Sequence, residues 1–225
     1  MAGVYAHRGA SIEFPENTLA AFRRAVELGV EGMELDVHLS ADGHPVVIHD
    51  ETVDRTTNGT GAVADLTLAE LQNLDAGRGE RIPTLGEVLD LVGDSLRVDI
   101  EVKANAAGAA VLKELEGRNT RWLISSFKWD VLRYVRTQSA DAELWVLTIG
   151  ASDDAIATAK EIGAPVLAIL HQGIDEDIVQ FLKEQRLEFW VWTVNDPDLA
   201  RKYAAWGAVG ICTDDPERIQ KALQA

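Results

Sequence analysis

Residues 33–49 read MELDVHLSADGHPVVIH, and this stretch decides the fold. It contains two strand-like apolar runs, 33–39 and 45–49, joined by five residues in which Asp42-Gly43 is a strong signal for a hairpin turn. No other consecutive pair of strand-like runs in the chain lacks a helical pattern between its members. We therefore predict that the second run turns over beyond the first and returns antiparallel to it.

The turn also predicts the register of this hairpin. Pairing Ser40 with Pro45 places His49 opposite Asp36. We therefore expect an imidazole and a carboxylate to face each other across the two strands.

Outside the hairpin, strand-like runs alternate with helical patterns. These other runs are residues 4–7, 96–103, 122–127, 143–148, 165–170, 188–194 and 209–213. With 33–39 they make eight strands, and apolar strands separated by helices are typical of a parallel sheet covered on its faces. The sequence predicts an α/β protein, a TIM-type (β/α)8 barrel with a β-hairpin after strand 2. An open doubly wound sheet is the alternative, but no Gly-x-Gly-x-x-Gly turn follows the first run.

Capping signals mark helix starts. Asn17 precedes a helical pattern at 18–28 and is its expected cap, while Thr84 and Glu87 form a capping box. Residues 51–83 form the one irregular stretch, with a short helix near 68–74. Long irregular connections are usually functional, so we predict a small cap over the barrel mouth.

Composition limits the possible functions. The 225 residues are 47% hydrophobic and 26% charged, which predicts one soluble domain spanning 1–225. The net charge of −16 disfavours nucleic acid and anionic membrane surfaces as partners. We expect a cytoplasmic protein without stable membrane association, because neither a signal peptide nor an apolar run of membrane-spanning length is visible. The single cysteine, Cys212, excludes a disulfide framework, and the oligomeric state stays open.

Three carboxylates are candidate metal ligands. Glu34 and Asp36 lie two residues apart on one strand, so their side chains share a face, and Glu101 ends a later run. Neighbouring carboxylates inside a barrel repel each other unless a cation lies between them. An oxygen-only site suits Mg²⁺ or Ca²⁺. The alternative is a structural ion pair with Arg8 or Lys103.

Two histidines are candidate catalytic groups. His7 and His49 each end an apolar run, and parallel barrel strands bring their carboxyl ends to one mouth, where the active sites of such barrels lie. The two imidazoles can flank one scissile bond as acid and base. Arg8 can bind phosphate oxygens, and Lys103 can do the same or pair with Glu101. Together these groups suggest metal-assisted cleavage of a phosphate ester.

The remaining candidates are weaker. Phe127 and Trp192 end strands and are expected either to wall the substrate pocket or to pack structurally. We expect His38 and His44 to be solvated, although His38 lies on the same strand face as Glu34 and Asp36, which leaves a site role open for it. We expect His171 to be either a rim residue or a substrate contact.

These residues resemble the glycerophosphodiester phosphodiesterase family, relatives of phosphatidylinositol-specific phospholipase C. The matching motifs, in chain order, are His7-Arg8-Gly9, Glu16-Asn17-Thr18, Glu34-Leu35-Asp36-Val37, Pro45-Val46-Val47-Ile48-His49-Asp50, Arg55-Thr56-Thr57-Asn58-Gly59, Ile82-Pro83-Thr84-Leu85, Glu101-Val102-Lys103, Ser126-Phe127, Trp192-Thr193-Val194-Asn195 and Thr213-Asp214-Asp215-Pro216. They span nearly the whole chain.

The resemblance implies hydrolysis of small-molecule glycerophosphodiesters to glycerol 3-phosphate and an alcohol. It also implies a divalent cation on the three carboxylates, with His7 and His49 as the acid/base pair. The sequence leaves open which histidine is the base, and similarity to the phospholipase favours His7 as base and His49 as acid. Two alternatives use the same residues: phospholipase D-like activity on lysophospholipids, and a catalytically silent barrel that only binds glycerophosphodiesters.

Overall fold

A computed structural model describes residues 2–224, so Met1 and Ala225, the ends of the predicted domain, lie outside the described residues. The strands are β1 Gly3–His7, β2 Gly32–Leu39, β3 Pro45–Val47, β4 Arg97–Val102, β5 Arg121–Ser126, β6 Leu144–Thr148, β7 Val166–Leu170, β8 Glu188–Trp192 and β9 Gly210–Thr213. The helices are α1 Leu19–Leu28, α2 Leu68–Gln72, α3 Leu85–Val92, α4 Ala107–Leu115, α5 Trp129–Gln138, α6 Asp153–Ile162, α7 Glu176–Gln185, α8 Pro197–Trp206 and α9 Pro216–Gln224.

Eight of the strands form a closed parallel barrel. β1 pairs in parallel with both β2 and β9, which closes the sheet, and β3 runs antiparallel along β2. The predicted TIM-type barrel with a hairpin after its second strand is confirmed. Closure removes the sheet edges and directs the carboxyl ends of all eight parallel strands to one mouth.

The predicted hairpin register is wrong by one residue. Val47 pairs with Val37, and the Ile48 amide donates to the Asp36 carbonyl at 3.0 Å, so Ile48 and not His49 lies opposite Asp36. The cause is in the turn. The Ser40 amide donates to the His44 carbonyl at 3.0 Å, and the Ser40 hydroxyl accepts from the His44 amide at 2.9 Å, so Ser40 pairs with His44. His49 follows the end of β3 and reaches the mouth from a loop.

The expected cap of α1 also differs. Thr18 caps the helix by accepting from the Ala21 amide, whereas Asn17 adopts a φ of +57° and donates from its amide to Asp36 Oδ2 at 2.8 Å. Asparagine tolerates this left-handed conformation better than most residues. The buried Asp36 carboxylate therefore binds the Asn17 side chain, and the next residue caps the helix. The capping box of Thr84 and Glu87 is confirmed.

Aromatic residues fill the inside of the barrel below the mouth. Tyr5, Trp145 and Trp190 contact one another with ring centroids 5.7–6.0 Å apart. They belong to a buried cluster that also contains Leu123, Leu147, Val166, Ala168 and Cys212. A second, larger cluster packs the outside of the strands against the helices. The aromatic cluster closes the barrel, so the mouth is a dead-end cavity.

Residues 51–83 pack on one side of the mouth. They contain a short 3₁₀ helix, Val63–Asp65, and α2, and they bury their own apolar cluster against β3. The members of this cluster are Val46, Ile48, Val53, Val63, Leu71, Ala76 and Ile82. Across residues 2–224, no helix has the length and apolar character needed to cross a membrane.

Candidate active site

Two adjoining cavities occupy the mouth. The inner cavity has a volume of about 120 Å³, and eight of the nine predicted site residues line it: His7, Arg8, Glu34, His49, Glu101, Lys103, Phe127 and Trp192. The outer cavity has a volume of about 500 Å³, and it is also lined by His38, Asp50, Glu51 and Lys128. Four residues line both cavities: His49, Glu101, Lys103 and Phe127. The sequence-predicted residues therefore converge, although they come from separate strands.

The three predicted carboxylates form one buried cluster. Glu34, Asp36 and Glu101 each place a carboxylate oxygen within 4.8 Å of the other two. Burial, Asp36 and Glu101 raise the pKa of Glu34 well above its usual range. Burial and Asp36 likewise raise the pKa of Glu101 to about 7. Burial alone would raise the pKa of Asp36, but Lys103 and Arg8 lower it to about 2. The cluster lacks enough positive charge to keep all three groups ionised.

A divalent cation fits this cluster. Asp36 Oδ1 is buried, and within residues 2–224 it has an ion pair with Lys103 but no hydrogen bond, so a bound cation would share this oxygen with Lys103. A cation among the three carboxylates would favour their charged forms and offset the burial that raises their pKa values. Three carboxylates with no nitrogen or sulfur donor suit Mg²⁺ or Ca²⁺.

Two basic side chains adjoin the acids. Arg8 Nε lies 3.3 Å from Asp36 Oδ2, and Lys103 Nζ lies 3.1 Å from Asp36 Oδ1 and 2.8 Å from Glu101 Oε1. The predicted structural alternative, an ion pair between Lys103 and Glu101, is therefore present. Both cations also line the inner cavity, so they remain available to an anionic ligand there.

His7 is oriented by an aspartate that sequence reasoning missed. Its Nδ1 lies 2.6 Å from Asp214 Oδ1, and its Nε2 lies 4.0 Å from Glu34 Oε2. Asp214 also accepts hydrogen bonds from the Asn195 amide at 2.6 Å and the Ser11 hydroxyl at 3.2 Å. Burial raises the pKa of Asp214, but the hydrogen bond and charge of His7 and the hydrogen bonds from Asn195 and Ser11 together lower it to about 2. An ionised Asp214 holds the proton on Nδ1 and leaves Nε2 as the basic nitrogen.

The signal for Asp214 was its position directly after the last strand. Asp214 belongs to the motif Thr213-Asp214-Asp215-Pro216, but it lies 207 residues from His7, so no local pattern connects the two side chains.

His49 has a similar arrangement with its own neighbour. Its Nδ1 lies 2.6 Å from Asp50 Oδ1. Burial lowers the pKa of His49, and Lys103 and Arg8 act in the same direction. The predicted solvation of His38 is wrong: this residue is buried, and its Nε2 lies 3.0 Å from the His49 carbonyl oxygen. His38 pairs with Val46 of β3, and its contact with the His49 carbonyl supports the loop that carries His49.

An aromatic pair borders the cavities. Phe127 and Trp192 meet edge to face with ring centroids 5.5 Å apart, and the Trp192 indole donates to the Ala168 carbonyl at 3.1 Å. Both residues line the inner cavity, which supports the pocket-wall interpretation over simple packing. His171 instead contacts Tyr203, whose hydroxyl donates to the His171 carbonyl at 2.9 Å. His44 is exposed, as expected.

Asp99 is a further buried acid that the sequence did not single out. It precedes Glu101 by two residues on β4 and accepts a hydrogen bond from the Ser125 hydroxyl at 2.6 Å. Burial raises its pKa from 3.8 to about 7. The folded protein thus retains a proton on Asp99 at pH values where the unfolded chain has released it.

Asp99 should make the metal-free protein less stable as the pH rises. Its stabilising contribution is complete below about pH 4 and is lost as the pH rises through 7, because only the unfolded chain releases the proton readily in that interval. Between pH 5 and pH 8, the unfolding free energy of the wild type should therefore fall by about 2–3 kcal/mol more than that of Asp99→Asn, since each tenfold change in proton affinity is worth about 1.4 kcal/mol.

Urea titrations in chelator at the two pH values measure this difference. Glu101 titrates in both proteins and its charge contributes to the pKa of Asp99, so the difference between the two pH dependences reports Asp99 together with its interaction with Glu101. Equal pH dependence of the wild type and Asp99→Asn would contradict the prediction.

Comparison with known structures gives the class of protein. The fold matches an Oleispira antarctica phosphodiesterase in complex with the product sn-glycerol-3-phosphate, with a TM-score of 0.95 and 29% identity over 100% of this chain and 98% of that one. It also matches a glycerophosphodiester phosphodiesterase from Thermotoga maritima, with a TM-score of 0.86 and 31% identity over 98% of both chains. Both proteins are phosphodiesterases with the same (β/α)8 barrel, so the chain is a phosphoric diester hydrolase by class.

The chain belongs to the glycerophosphoryl diester phosphodiesterase family, whose model matches residues 7–218. A glycerophosphodiester phosphodiesterase from Caldanaerobacter subterraneus subsp. tengcongensis is 41% identical over 96% of this chain and 95% of its own length. The resemblance seen in the sequence motifs is thereby confirmed.

Proposed function

We propose that this enzyme hydrolyses glycerophosphodiesters to sn-glycerol 3-phosphate and an alcohol, with a divalent cation on its acidic cluster and two histidines as acid and base. One observation carries the proposal. His7 and His49 each bind an aspartate through Nδ1, and both line the same inner cavity as Glu34 and Glu101. The product named for the Oleispira relative supports the glycerol phosphate half of the substrate.

Glu34, Asp36 and Glu101 would hold the cation. When bound, Mg²⁺ or Ca²⁺ supplies Lewis-acid chemistry to a phosphate ester. Arg8 and Lys103 add fixed positive charge beside the cluster, and this charge stabilises the phosphorane-like transition state. The protein surface is strongly acidic, and Arg8 and Lys103 only partly offset the three carboxylates, so the bound cation together with these two side chains would supply the local positive charge that an anionic substrate needs.

The two cavities divide the substrate. The inner cavity, about 120 Å³, is closed below by Trp190 and suits the glycerol half. The outer cavity, about 500 Å³, leaves room for a larger leaving alcohol. The residues common to both, among them His49 and Lys103, would then lie beside the phosphate. Phe127 borders both cavities, and Trp192 adjoins the inner one, so this pair forms the apolar wall of the substrate site.

This division assigns the proton transfers. His7 lines only the inner cavity, so its Nε2 would take the proton from the attacking hydroxyl of the glycerol. His49 lines both cavities and would give a proton to the leaving alcohol oxygen. A cyclic phosphate results, and water opens it with the two histidines in reversed roles. Each transfer is worth about 10²–10⁴-fold in rate.

A coupled assay for glycerol 3-phosphate release tests the proposal. The panel contains the choline, ethanolamine, inositol and glycerol diesters, each with and without added Mg²⁺ or Ca²⁺. We expect release from at least one diester and dependence on the added ion. Silence on every diester with both ions would reject the proposal and would favour a barrel that only binds these compounds.

One observation favours a second substrate class. The Phe127 side chain is 42% exposed at the border of the outer cavity, where an acyl chain could contact it. Lysophosphatidylcholine therefore belongs in the same panel. Phospholipase D-like cleavage would release lysophosphatidic acid and choline from it.

A further inference from the structure

Arg55 bridges two carboxylates at the edge of the mouth. Its Nε donates to Asp50 Oδ2 at 2.7 Å, and its Nη2 donates to Asp50 Oδ1 at 3.0 Å. Its Nη1 and Nη2 also donate to the two oxygens of Glu16, at 2.8 and 2.9 Å. The guanidinium thus binds both carboxylates in a bidentate manner, which is the geometry that restricts an arginine pair most strongly.

Both carboxylates lead to the proposed active site. Asp50 Oδ1 also lies 2.6 Å from His49 Nδ1, and Glu16 Oε1 also accepts from Arg8 Nη1 at 2.8 Å. The connected side chains therefore run from Arg8 through Glu16, Arg55 and Asp50 to His49. Glu16 belongs to the segment between β1 and α1, and Arg55 belongs to the cap, so this network spans two separate parts of the chain.

We propose that Arg55 is a positioning residue for His49, which it holds through Asp50 while Glu16 anchors it on the β1–α1 segment. The inference rests on the proposed role of His49 as the acid that protonates the leaving alcohol. The cap, residues 51–83, would then supply the side chain that orients a histidine of the barrel mouth.

Geometry explains why His49 needs this support. His49 follows the end of β3 in a loop, so no strand pairing holds its backbone beyond Ile48. Asp50 is its immediate neighbour in the same loop, and its side chain is about a third exposed. An aspartate on a loop orients an imidazole only if the aspartate is itself held, and here Arg55 binds both of its oxygens. Misplacement of a catalytic group by about 1 Å can cost about 10²-fold in rate.

The positive charge of Arg55 also helps to orient His49. The hydrogen bonds from Arg55 lower the pKa of Asp50 below its usual range, so this carboxylate stays ionised beside the imidazole. An ionised Asp50 accepts the Nδ1 proton and leaves His49 Nε2 for the substrate, which is how an outer carboxylate selects the tautomer of a histidine.

The test compares two leaving groups. Choline leaves as an alkoxide that needs a proton, whereas p-nitrophenolate is stable as an anion and leaves without one. Single-turnover release of the leaving group isolates the step in which His49 acts as acid. In that measurement Arg55→Met should slow choline release from glycerophosphocholine by about 10–100-fold and should change p-nitrophenolate release from the p-nitrophenyl ester of glycerol phosphate by less than about threefold. A purely structural role would lower both values equally.

Arg78 provides a matched control. It also lies in the cap, and its Nη1 donates to the Glu13 carbonyl at 2.6 Å, so it joins the cap to the same β1–α1 segment. Arg78→Met should leave kcat for both substrates near the wild-type value.

Arg55→Lys keeps the charge and extends the test if Arg55→Met fails to fold. Lysine cannot bind two carboxylates in a bidentate manner, so single-turnover choline release in this variant should lie between the wild-type and Arg55→Met rates, with p-nitrophenolate release again little affected. Equal losses on both substrates, or no loss in a folded variant, would overturn the proposal. A wild type that cleaves neither substrate would instead reject the proposed function.

Discussion

His49→Ala is expected to lower kcat for glycerophosphocholine by about 10²–10⁴-fold, because the variant loses the group that protonates the leaving alcohol. The fold should persist, since His49 lies in a loop beyond β3 and outside the apolar clusters. Steady-state kinetics of glycerol 3-phosphate release measure the loss, and circular dichroism checks the fold. His44→Ala is the control, because His44 is an exposed histidine in the same hairpin, and its activity should be unchanged.

His7→Ala should produce a loss of similar size with a different pattern. His7 removes a proton from the nucleophile, and this step is required whatever the leaving group. In single-turnover release of the leaving group, the loss of His7 should therefore affect the p-nitrophenyl ester as strongly as the choline diester, whereas the loss of His49 should affect mainly the choline diester. Near-normal turnover in either variant would contradict the acid–base assignment, and an identical pattern in both would contradict the division of roles.

Removal of the divalent cation should abolish activity reversibly. The acidic cluster holds three buried carboxylates whose charge Arg8 and Lys103 only partly offset, so we expect the cation to be required for substrate binding and rate. Dialysis against EDTA should lower kcat/KM by more than about 10²-fold, and added Mg²⁺ or Ca²⁺ should restore it. Activity that persists after dialysis would count against a metal on this cluster.

Glu34→Gln connects this effect to the cluster itself. The variant should bind the restoring ion at least about tenfold more weakly in calorimetry, because even changes around metal ligands commonly cost 10–100-fold in affinity. Glu31→Gln is the control: Glu31 directly precedes β2 and is exposed. An unchanged isotherm for Glu34→Gln would make that glutamate structural.

Local patterns in the sequence predicted most of the architecture. The Asp42-Gly43 turn and the alternation of strands with helices were sufficient to predict the barrel, since periodicity reports burial directly. Residues at strand ends were predicted to converge, and eight of nine line one cavity. The hairpin register was wrong by one residue, because a single hydroxyl, that of Ser40, decides which residue closes the turn.

The partners of the site residues could not be predicted in the same way. Asn17 stands at a position typical of a helix cap, yet its side chain binds Asp36. The buried Asp36 carboxylate needs a hydrogen-bond donor, whereas the free amide at the start of α1 can bond to Thr18 instead. Arg55 stood in a quoted motif without an assigned task. Its role depends on Glu16, which is 39 residues away.

The sequence by itself determined which side chains lie at the ends of the barrel strands. The apolar residues of a strand and their two-residue period are visible within a short stretch of sequence. Only the tertiary structure decided which of these groups meet: His7 with Asp214, Asp50 with both His49 and Arg55, and the three carboxylates with one another. Hydrogen bonds act over about 3 Å, and barrel closure brings together groups that lie up to 207 residues apart in the chain.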